Sequence, residues 1–468
     1  MTLKLITRGM LLLIIFKVIS PAKPPVIDPY IANHFKKNTI TNISINTAQP
    51  GVKIPSNFLG FSYEITALLD TVYFKSSHTK FKNLLDGLGS GIIRLGGYYV
   101  NNHYWTNRPR TALTGPDSIA TSDVDSMINF MRQTNWKVIL NLNLANSTPA
   151  INTSEAKYAW LNGRDVITAF EYGNEPEAIW NVKDYDKYKA VFVANYNHVK
   201  SNLGNVPICG PASLYPMFFV DKFTRDGKNK VNFITTHLYS VGEANKPHSV
   251  YELLDDKYLK KVHDFSKQVD SIVSKENLTY RIDECNNYGD EGTNVADRFT
   301  AALWGIDFMF TAAQNNCQGI NFHGGSRGFT PILIRKGFAM KPQALYYGML
   351  FFHLASQGKL LPVKIDHTGI KSYAVVQPDN KIAITVINKD PAVNARVNIT
   401  LNKRFTKANM MLLESPSIYS KDSITLGKAS ISGTGKWKLA YKNNLTFRNG
   451  ALLVTIPKAT AALITVSN

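Results

Sequence analysis

Cysteine is scarce in this chain. Cys209, Cys285 and Cys317 are the only three, an odd number that excludes a disulfide framework and allows one bridge at most. None of them has the spacing of a zinc site. Dense charge tracts are also missing. The formal net charge is +19, yet lysine and arginine are spread along the chain, which argues against a nucleic-acid-binding arm. No glycine fingerprint follows the first strand-like run, so a nucleotide-binding doubly wound sheet loses its usual signature. No internal repeat or low-complexity tract is present. Charged residues make up 19% and hydrophobic residues 44%, a balance that excludes global disorder and allows a sizeable core. The positive excess favours polyanionic partners through long-range steering, or is simply a basic surface.

The start reads as a secretory leader. Lys4 and Arg8 precede a short apolar stretch, Met10–Phe16, that is too short to span a bilayer comfortably. Ser20-Pro21-Ala22 places small residues where a signal peptidase reads them. Residues 1–22 are therefore expected to be a signal peptide, and 23–38, Pro-rich and polar, a linker. Six Asn-x-Ser/Thr sequons begin at Asn42, Asn146, Asn152, Asn277, Asn398 and Asn444, and matter only in a host that glycosylates them.

Eight short apolar runs then alternate with helical patterns: Asn57–Tyr63, Gly91–Leu95, Trp136–Asn143, Ile167–Tyr172, Val206–Gly210, Val231–His237, Leu278–Glu284 and Gln318–His323. Most are rich in Ile, Val, Leu or Phe, as parallel strands buried on both faces require. Between them, Phe81–Leu88 carries its apolar residues at helical spacing. Thr121 or Ser122 can cap a helix running to about Gln133. Asp184–Leu203, Val250–Ser274 and Val295–Gln314 are longer amphipathic segments. The number eight favours a closed (β/α)₈ barrel, here over residues 57–355. After about residue 355 the pattern becomes one of short alternating strands such as Ile370–Val376, Ala395–Leu401 and Ala451–Ile456. Asp379-Asn380, Asp390-Pro391 and Asn449-Gly450 are their turns, so 356–468 reads as an antiparallel β-sandwich. Residues 39–56 share this character and can lend it a strand.

In a barrel the chemistry sits at the C-terminal strand ends. Glu175 follows the fourth strand in Gly173-Asn174-Glu175-Pro176, where Gly173 permits a turn and Asn174 can bind a sugar hydroxyl. Glu284 ends the seventh run, in Arg281-Ile282-Asp283-Glu284. At roughly 31 residues per βα unit the two lie about three and a half units apart, as strands four and seven require. Two carboxyl groups facing one sugar are what glycosidic cleavage needs, one as acid and one as nucleophile or base. Glu171, within the fourth strand, reads as a structural partner, and Cys285 as a small packing residue with no His partner to activate it.

With these residues in place the sequence resembles the clan of retaining glycosidases with glutamates on strands four and seven, and within it glycoside hydrolase family 79, which contains heparanase and β-glucuronidases. Gly60–Glu64, Arg94–Gly97, the Gly-Asn-Glu-Pro run, Thr236–Tyr239, Ala301–Asp307, Asn321–Gly325 and Tyr346–Gly348 carry the resemblance, over roughly residues 40–360. It implies that Glu175 is the acid/base and Glu284 the nucleophile, that Tyr239 hydrogen-bonds the nucleophile, and that no metal or organic cofactor is needed. It implies also that Tyr288 and Gly289 meet the carboxylate of a uronic acid, although Asp290 and Glu291 follow them. A second tyrosine donor is implied after strand eight. Phe329 stands near that place and cannot donate; Tyr346 is the candidate hydroxyl in its stead, with a core aromatic as its other reading. Glu64 resembles a sugar-hydroxyl ligand, with a salt bridge to Arg94 as its other reading. His237 either lines the same wall or is a structural histidine.

The expectation is a secreted retaining glycosidase, an exo-acting β-glucuronidase acting on a uronic-acid-containing carbohydrate, with no nucleic-acid partner and no stable membrane span. An endo-acting heparanase-like enzyme, a neutral-sugar glycosidase on the same fold and a non-catalytic glycan-binding protein are the alternatives. Oligomeric state is not encoded in any motif.

Overall fold

A computed structural model describes residues 40–179, 184–214, 217–241, 248–289, 295–326, 328–366 and 369–468. The leader, the linker, Asp290 and Glu291 lie outside them. No helix among the described residues is long and apolar enough to cross a membrane.

The chain opens with β1 (Ile40–Ile45) and enters the barrel with β2 (Gly60–Glu64) and β3 (Gly91–Gly96). Two short strands, β4 (Tyr104–Thr106) and β5 (Ser118–Ala120), form a small parallel pair in the loop after β3. The barrel continues through β6 (Trp136–Leu142), β7 (Ile167–Tyr172), β8 (Ile208–Ser213), β9 (Phe233–Tyr239), β10 (Tyr280–Asn286) and β11 (Ile320–His323). Parallel pairing joins β2, β3, β6, β7, β8, β9, β10 and β11 in turn and back to β2, closing the eight-stranded barrel that the run of apolar segments implied. These are the first to eighth barrel strands below.

Helices fill the intervals: α1 (Thr79–Gly87), α2 (Thr121–Met131), α3 (Pro149–Gly163), α4 (Tyr185–Leu203), α5 (Met217–Gly227), α6 (Asp256–Val273), α7 (Thr300–Gln314) and α8 (Ala344–Ala355). Thr121 is the first residue of α2 rather than its cap. Ala120 holds the cap position, and the Asp123 carboxylate accepts its backbone N–H at 2.8 Å. Several strands begin two or three residues later than the apolar runs. Val206 and Val231 are buried as packing residues ahead of the first paired residue, so hydrophobicity begins before the strand does. The sixth and seventh strands also end later, at Tyr239 and Asn286, because polar side chains face the barrel mouth there.

After β12 (Ile332–Leu333) and β13 (Lys341–Pro342), the remaining strands are β14 (Lys359–Leu361), β15 (Val363–Ile365), β16 (Ile370–Val376), β17 (Ile382–Asn388), β18 (Ala395–Leu401), β19 (Lys407–Glu414), β20 (Thr425–Leu426), β21 (Asn443–Leu445), β22 (Ala451–Ile456) and β23 (Thr460–Ser467). One sheet runs β15-β1-β18-β22 and the other β14-β16-β17-β23-β19-β20, with β21 beside β19. Ile43, Ile45, Val397, Ile399, Leu452 and Val454 of the first meet Ile384, Val386, Ile464 and Val466 of the second. Pairing is antiparallel except that β1 runs parallel to β18. The outer face of the second sheet, through Tyr373, Val375, Ala383, Ile387 and Leu463, joins the core of the barrel.

At that junction Lys389, 3% exposed, reaches Asp256 at 2.9 Å and pairs with Asp307 of α7. The Tyr373 hydroxyl donates to Asp307 as well. Burial works against the Lys389 charge, but the two carboxylates hold its pKa above the ordinary value. Truncating Lys389→Ala would leave the Asp307 carboxylate buried without its cation. Urea unfolding should show a loss of about 3 kcal/mol or more. A loss under about 1 kcal/mol would mean the pair does not anchor sheet to barrel.

Candidate active site

An arginine in the middle of a strand whose neighbours are Ile92, Ile93 and Leu95 has to find its partners inside the barrel. Arg94 is fully buried and does so with every edge of its guanidinium. Nε lies 2.7 Å from Glu171 Oε2 and 2.9 Å from Asp283 Oδ2, Nη1 donates to Glu284 Oε2 at 2.8 Å, and Nη2 donates to Asn174 Oδ1 at 2.8 Å. The second, fourth and seventh strands are thereby tied to one planar group. Glu171 is completed by the Asn141 amide at 3.0 Å and the Thr235 hydroxyl at 2.5 Å. The salt bridge between Arg94 and Glu64 does not form, since these partners occupy the guanidinium.

Glu284 does not end its strand. It lies two residues inside β10, and the register slips by one between Ile282 and Glu284. A bulge of this kind turns consecutive side chains to the same side. Asp283 and Glu284 both reach Arg94 as a result. The two Glu284 oxygens are held separately, Oε2 by Arg94 and Oε1 by the Tyr239 hydroxyl at 2.8 Å. Burial opposes a charge on Glu284, but His323, His237, Arg94 and the Tyr239 hydrogen bond hold its pKa well below the carboxylate range. Asp283 is the opposite case: burial and the neighbouring Glu171 charge push its pKa well up.

Glu175 stands on an uncommon backbone. Gly173 has φ 79° and Glu175 itself φ 45°, a left-handed conformation that is unfavourable for a side chain with a Cβ. The Glu175 N–H donates at 2.9 Å to the carbonyl of Ala212, which has φ 57° at the end of the fifth strand. The turn aims the carboxyl across the mouth, where it is 24% exposed and Oε1 lies 2.9 Å from His237 Nδ1. One ligand atom from each of Glu175, His237 and Glu284 lies within 4.8 Å of the other two. Such a trio could hold a cation, but Arg94 and Tyr239 already donate to both oxygens of Glu284.

The other expected site residues divide. Asn174, Tyr239 and His237 join the cluster. Glu64 sits on the first-strand rim, accepting the Tyr99 N–H at 3.1 Å with His323 Nε2 at 3.8 Å. Gly97 is required beside it: its φ is 75°, and a Cβ there would come within 2.3 Å of Glu64 Oε2. Gly289 borders the Tyr239 ring. The buried Tyr288 directs its hydroxyl to the Ser249 carbonyl at 3.3 Å and the Glu252 carboxylate at 3.4 Å. Tyr346 is a correction. It lies on α8 and donates at 2.6 Å to the Leu84 carbonyl of α1, in the helical layer and not in the mouth. Phe329 is buried beside His323, their rings 6.2 Å apart. Arg94, Asp283 and His323 were not among the residues assigned to the site from sequence. Arginine within a buried strand was the available signal for the first. The bulge that exposes Asp283 to the interior leaves no such mark.

His237 is fully buried, which disfavours its charge, but the Glu284 charge and the Glu175 hydrogen bond raise its pKa to about 9. The unfolded value is about 6.5. A raised folded value means that this contribution to stability is complete below about pH 6.5 and is lost as pH rises through 9. Denaturation measured across that window should show wild type losing stability relative to His237→Gln. Parallel curves would remove the imidazolium from the account.

The family profile "Glycosyl hydrolase family 79, N-terminal domain" matches residues 124–309, a span that contains both Glu175 and Glu284. Heparanase-like protein 1 of Arabidopsis thaliana is 24% identical over 281 residues, 56% of this chain and 51% of that protein. A β-glucuronidase of Aspergillus niger is 26% identical over 191 residues, 38% of this chain and 35% of its own. The chain thus spans about half the length of the first of these relatives. Among solved structures, a 4-O-α-L-rhamnosyl-β-D-glucuronidase from Fusarium oxysporum aligns with a TM-score of 0.73 at 17% identity, over 90% of this chain and 100% of the other. A family 51 arabinofuranosidase from Xanthomonas axonopodis pv. citri aligns with the same TM-score at 14% identity, over 92% of this chain and 100% of the other. Over residues 124–309 the chain is therefore similar to the N-terminal domain of glycosyl hydrolase family 79, and its fold is the one shared by these glycosidases.

Proposed function

We infer that the protein is a retaining β-glycosidase in which Glu284 attacks the anomeric carbon and Glu175 serves as acid and then base. The observation that carries this reading is the spacing of the two carboxyl groups, whose nearest ligand atoms lie within 4.8 Å. Double displacement needs about 5–5.5 Å between the carboxyls, and an inverting enzyme needs about 6.5–9.5 Å to admit a water. Their environments divide the roles. Glu284 is buried, ionised and oriented by two donors, as a nucleophile requires. Glu175 is the more exposed of the two and leaves one oxygen free of the imidazole, as proton delivery to a leaving oxygen requires. In the first step Glu284 bonds to C1 while the Glu175 proton passes to the departing oxygen. In the second, Glu175 takes a proton from water, whose oxygen displaces Glu284.

Glu284→Gln should keep the fold, because Arg94 retains Glu171 and Asp283, and should lower kcat by at least about 10³-fold. Glu175→Ala should spare substrates with acidic leaving groups in the first step and regain turnover with azide, which needs no proton removed. A Glu284→Gln protein as active as its parent would end the assignment.

For the substrate, the reading is a terminal β-glucuronide. Its support is the names of the relatives and the position of Tyr288-Gly289 after the seventh strand, with Gly289 against the Tyr239 ring. A neutral sugar is the second reading. It is favoured by the Glu252 carboxylate, which already lies 3.4 Å from the Tyr288 hydroxyl that a uronate would use. Assay of p-nitrophenyl β-glucuronide beside the β-glucoside, β-xyloside and α-arabinofuranoside separates them. Preference for the glucuronide is expected, and cleavage of neutral glycosides alone would overturn it.

A further inference from the structure

The barrel interior holds more acid than one cation can serve. Glu171, Asp283 and Glu284 lie 2.7, 2.9 and 2.8 Å from Arg94. The guanidinium treats them unequally. Its Nε donates to Glu171 Oε2, its Nη1 to Glu284 Oε2 and Ser62 Oγ, and its Nη2 to Asn174 Oδ1. Asp283 Oδ2 stands close to Nε, but no donor among the described residues makes a hydrogen bond to either Asp283 oxygen. The second buried guanidinium gives no help. Arg281 spends its N–H groups on the Asn321 side chain and on the carbonyls of Asn57, Phe58, Leu59 and Ile320. Asp283 itself is fully buried. It is a titratable group beside the nucleophile to which double displacement gives no task.

An ionised Asp283 would be a charge without a donor, in a dry interior, beside two other carboxylates. One proton removes the difficulty. The protonated acid has an O–H to give to Glu171, which lies within hydrogen-bond reach, and a carbonyl oxygen to offer elsewhere. The other titratable groups that face it are Cys209 on the fifth strand, His237 on the sixth, and Arg281, Glu284 and Cys285 on its own, with His323 of the eighth beyond Glu284. His237 is the one in line. Its Nε2 lies 3.7 Å from Asp283 Oδ1 and is likewise buried without a hydrogen-bond partner. Its other nitrogen, Nδ1, lies 2.9 Å from Glu175 Oε1. A chain thus runs from Glu171 through Asp283 and His237 to Glu175, with one long link. Such links are often long in the free enzyme and tighten when substrate binds.

We propose that Asp283 is a positioning residue for the acid, acting as a protonated carboxyl that holds His237 from behind and keeps its Nδ1–H on Glu175. The neutral form matters. An ionised Asp283 would draw the imidazolium charge to itself. A neutral one steadies the ring without competing for that charge, which stays turned on Glu175. There it stabilises the carboxylate that forms as the Glu175 proton passes to the departing oxygen. Asp283 touches neither the sugar nor the leaving group, and acts only through the imidazole.

This role rests on the reading of Glu175 as the acid but not on the identity of the sugar. Whichever sugar the panel above shows to be cleaved is tested as its 2,4-dinitrophenyl and its phenyl glycoside. The first leaving group departs without a proton and the second needs one. Asp283→Ala should widen the dinitrophenyl-to-phenyl ratio of kcat/KM by about tenfold, whereas a purely structural loss would lower both alike. Asp283→Asn, whose amide can donate to Glu171 and accept from His237, should restore the wild-type ratio. The infrared difference spectrum of wild type minus Asp283→Asn at neutral pH should contain the C=O band of a protonated carboxyl. A carboxylate band in its place overturns the role, as does an asparagine ratio that departs from wild type by about tenfold. Both asparagine measurements hold if the alanine variant does not fold. A Glu175→Ala protein without leaving-group dependence would instead end the acid assignment, and the infrared band would still report the state of Asp283.

Discussion

One guanidinium inside the barrel organises everything above it. Arg94 carries five partners from the first, fourth and seventh strands and the turn after the fourth, two of them carboxylates on its Nε alone. A buried arginine is strongly unfavourable without such partners, and so are the carboxylates without it. The mutual requirement leaves little freedom: Glu171, Asp283 and Glu284 are each placed where the fork of the guanidinium reaches them. Geometry at the mouth is therefore set from below, by charge that cannot be left unpaired.

The same arrangement separates the two glutamates chemically. Glu284 lies within the positive field of Arg94, His237 and His323 and accepts a phenol hydrogen bond, which together outweigh the burial that would otherwise protonate it. Glu175 is reached by one imidazole and is otherwise open to the mouth. Two residues of one type acquire different tasks because their surroundings differ, the usual way a barrel runs acid and nucleophilic chemistry in one pocket. The left-handed backbone at Glu175 belongs to this account. It is the conformation in which the side chain reaches across to the nucleophile, and the hydrogen bond to Ala212 helps to hold it.

The eight-stranded barrel was legible because buried parallel strands are apolar runs of limited length, and eight of them alternate with helical spacing. Their edges were less so. Val206 and Val231 are apolar and buried but lie ahead of the paired residues, since hydrophobicity reports burial and not strand pairing. The Gly-Asn-Glu-Pro turn announced Glu175, and the acidic end of the seventh run announced Glu284. Tyr346 shows the limit in the other direction. A tyrosine after the eighth strand is a reasonable donor by position, yet a helix has a face that looks away from the mouth, and the Leu84 carbonyl lies there.

What the sequence by itself determined was the count and order of the strands, the module that follows them and the two glutamates near the C-terminal ends of the fourth and seventh, because periodicity and turn residues act over a few positions along the chain. What only the tertiary structure decided was which groups share a charge. The bulge at Asp283, the shared pairing of Arg94 and the diversion of Tyr288 to Glu252 all depend on residues tens to hundreds of positions apart. Electrostatics and close packing act through space, and no local pattern in the chain records which distant groups will meet.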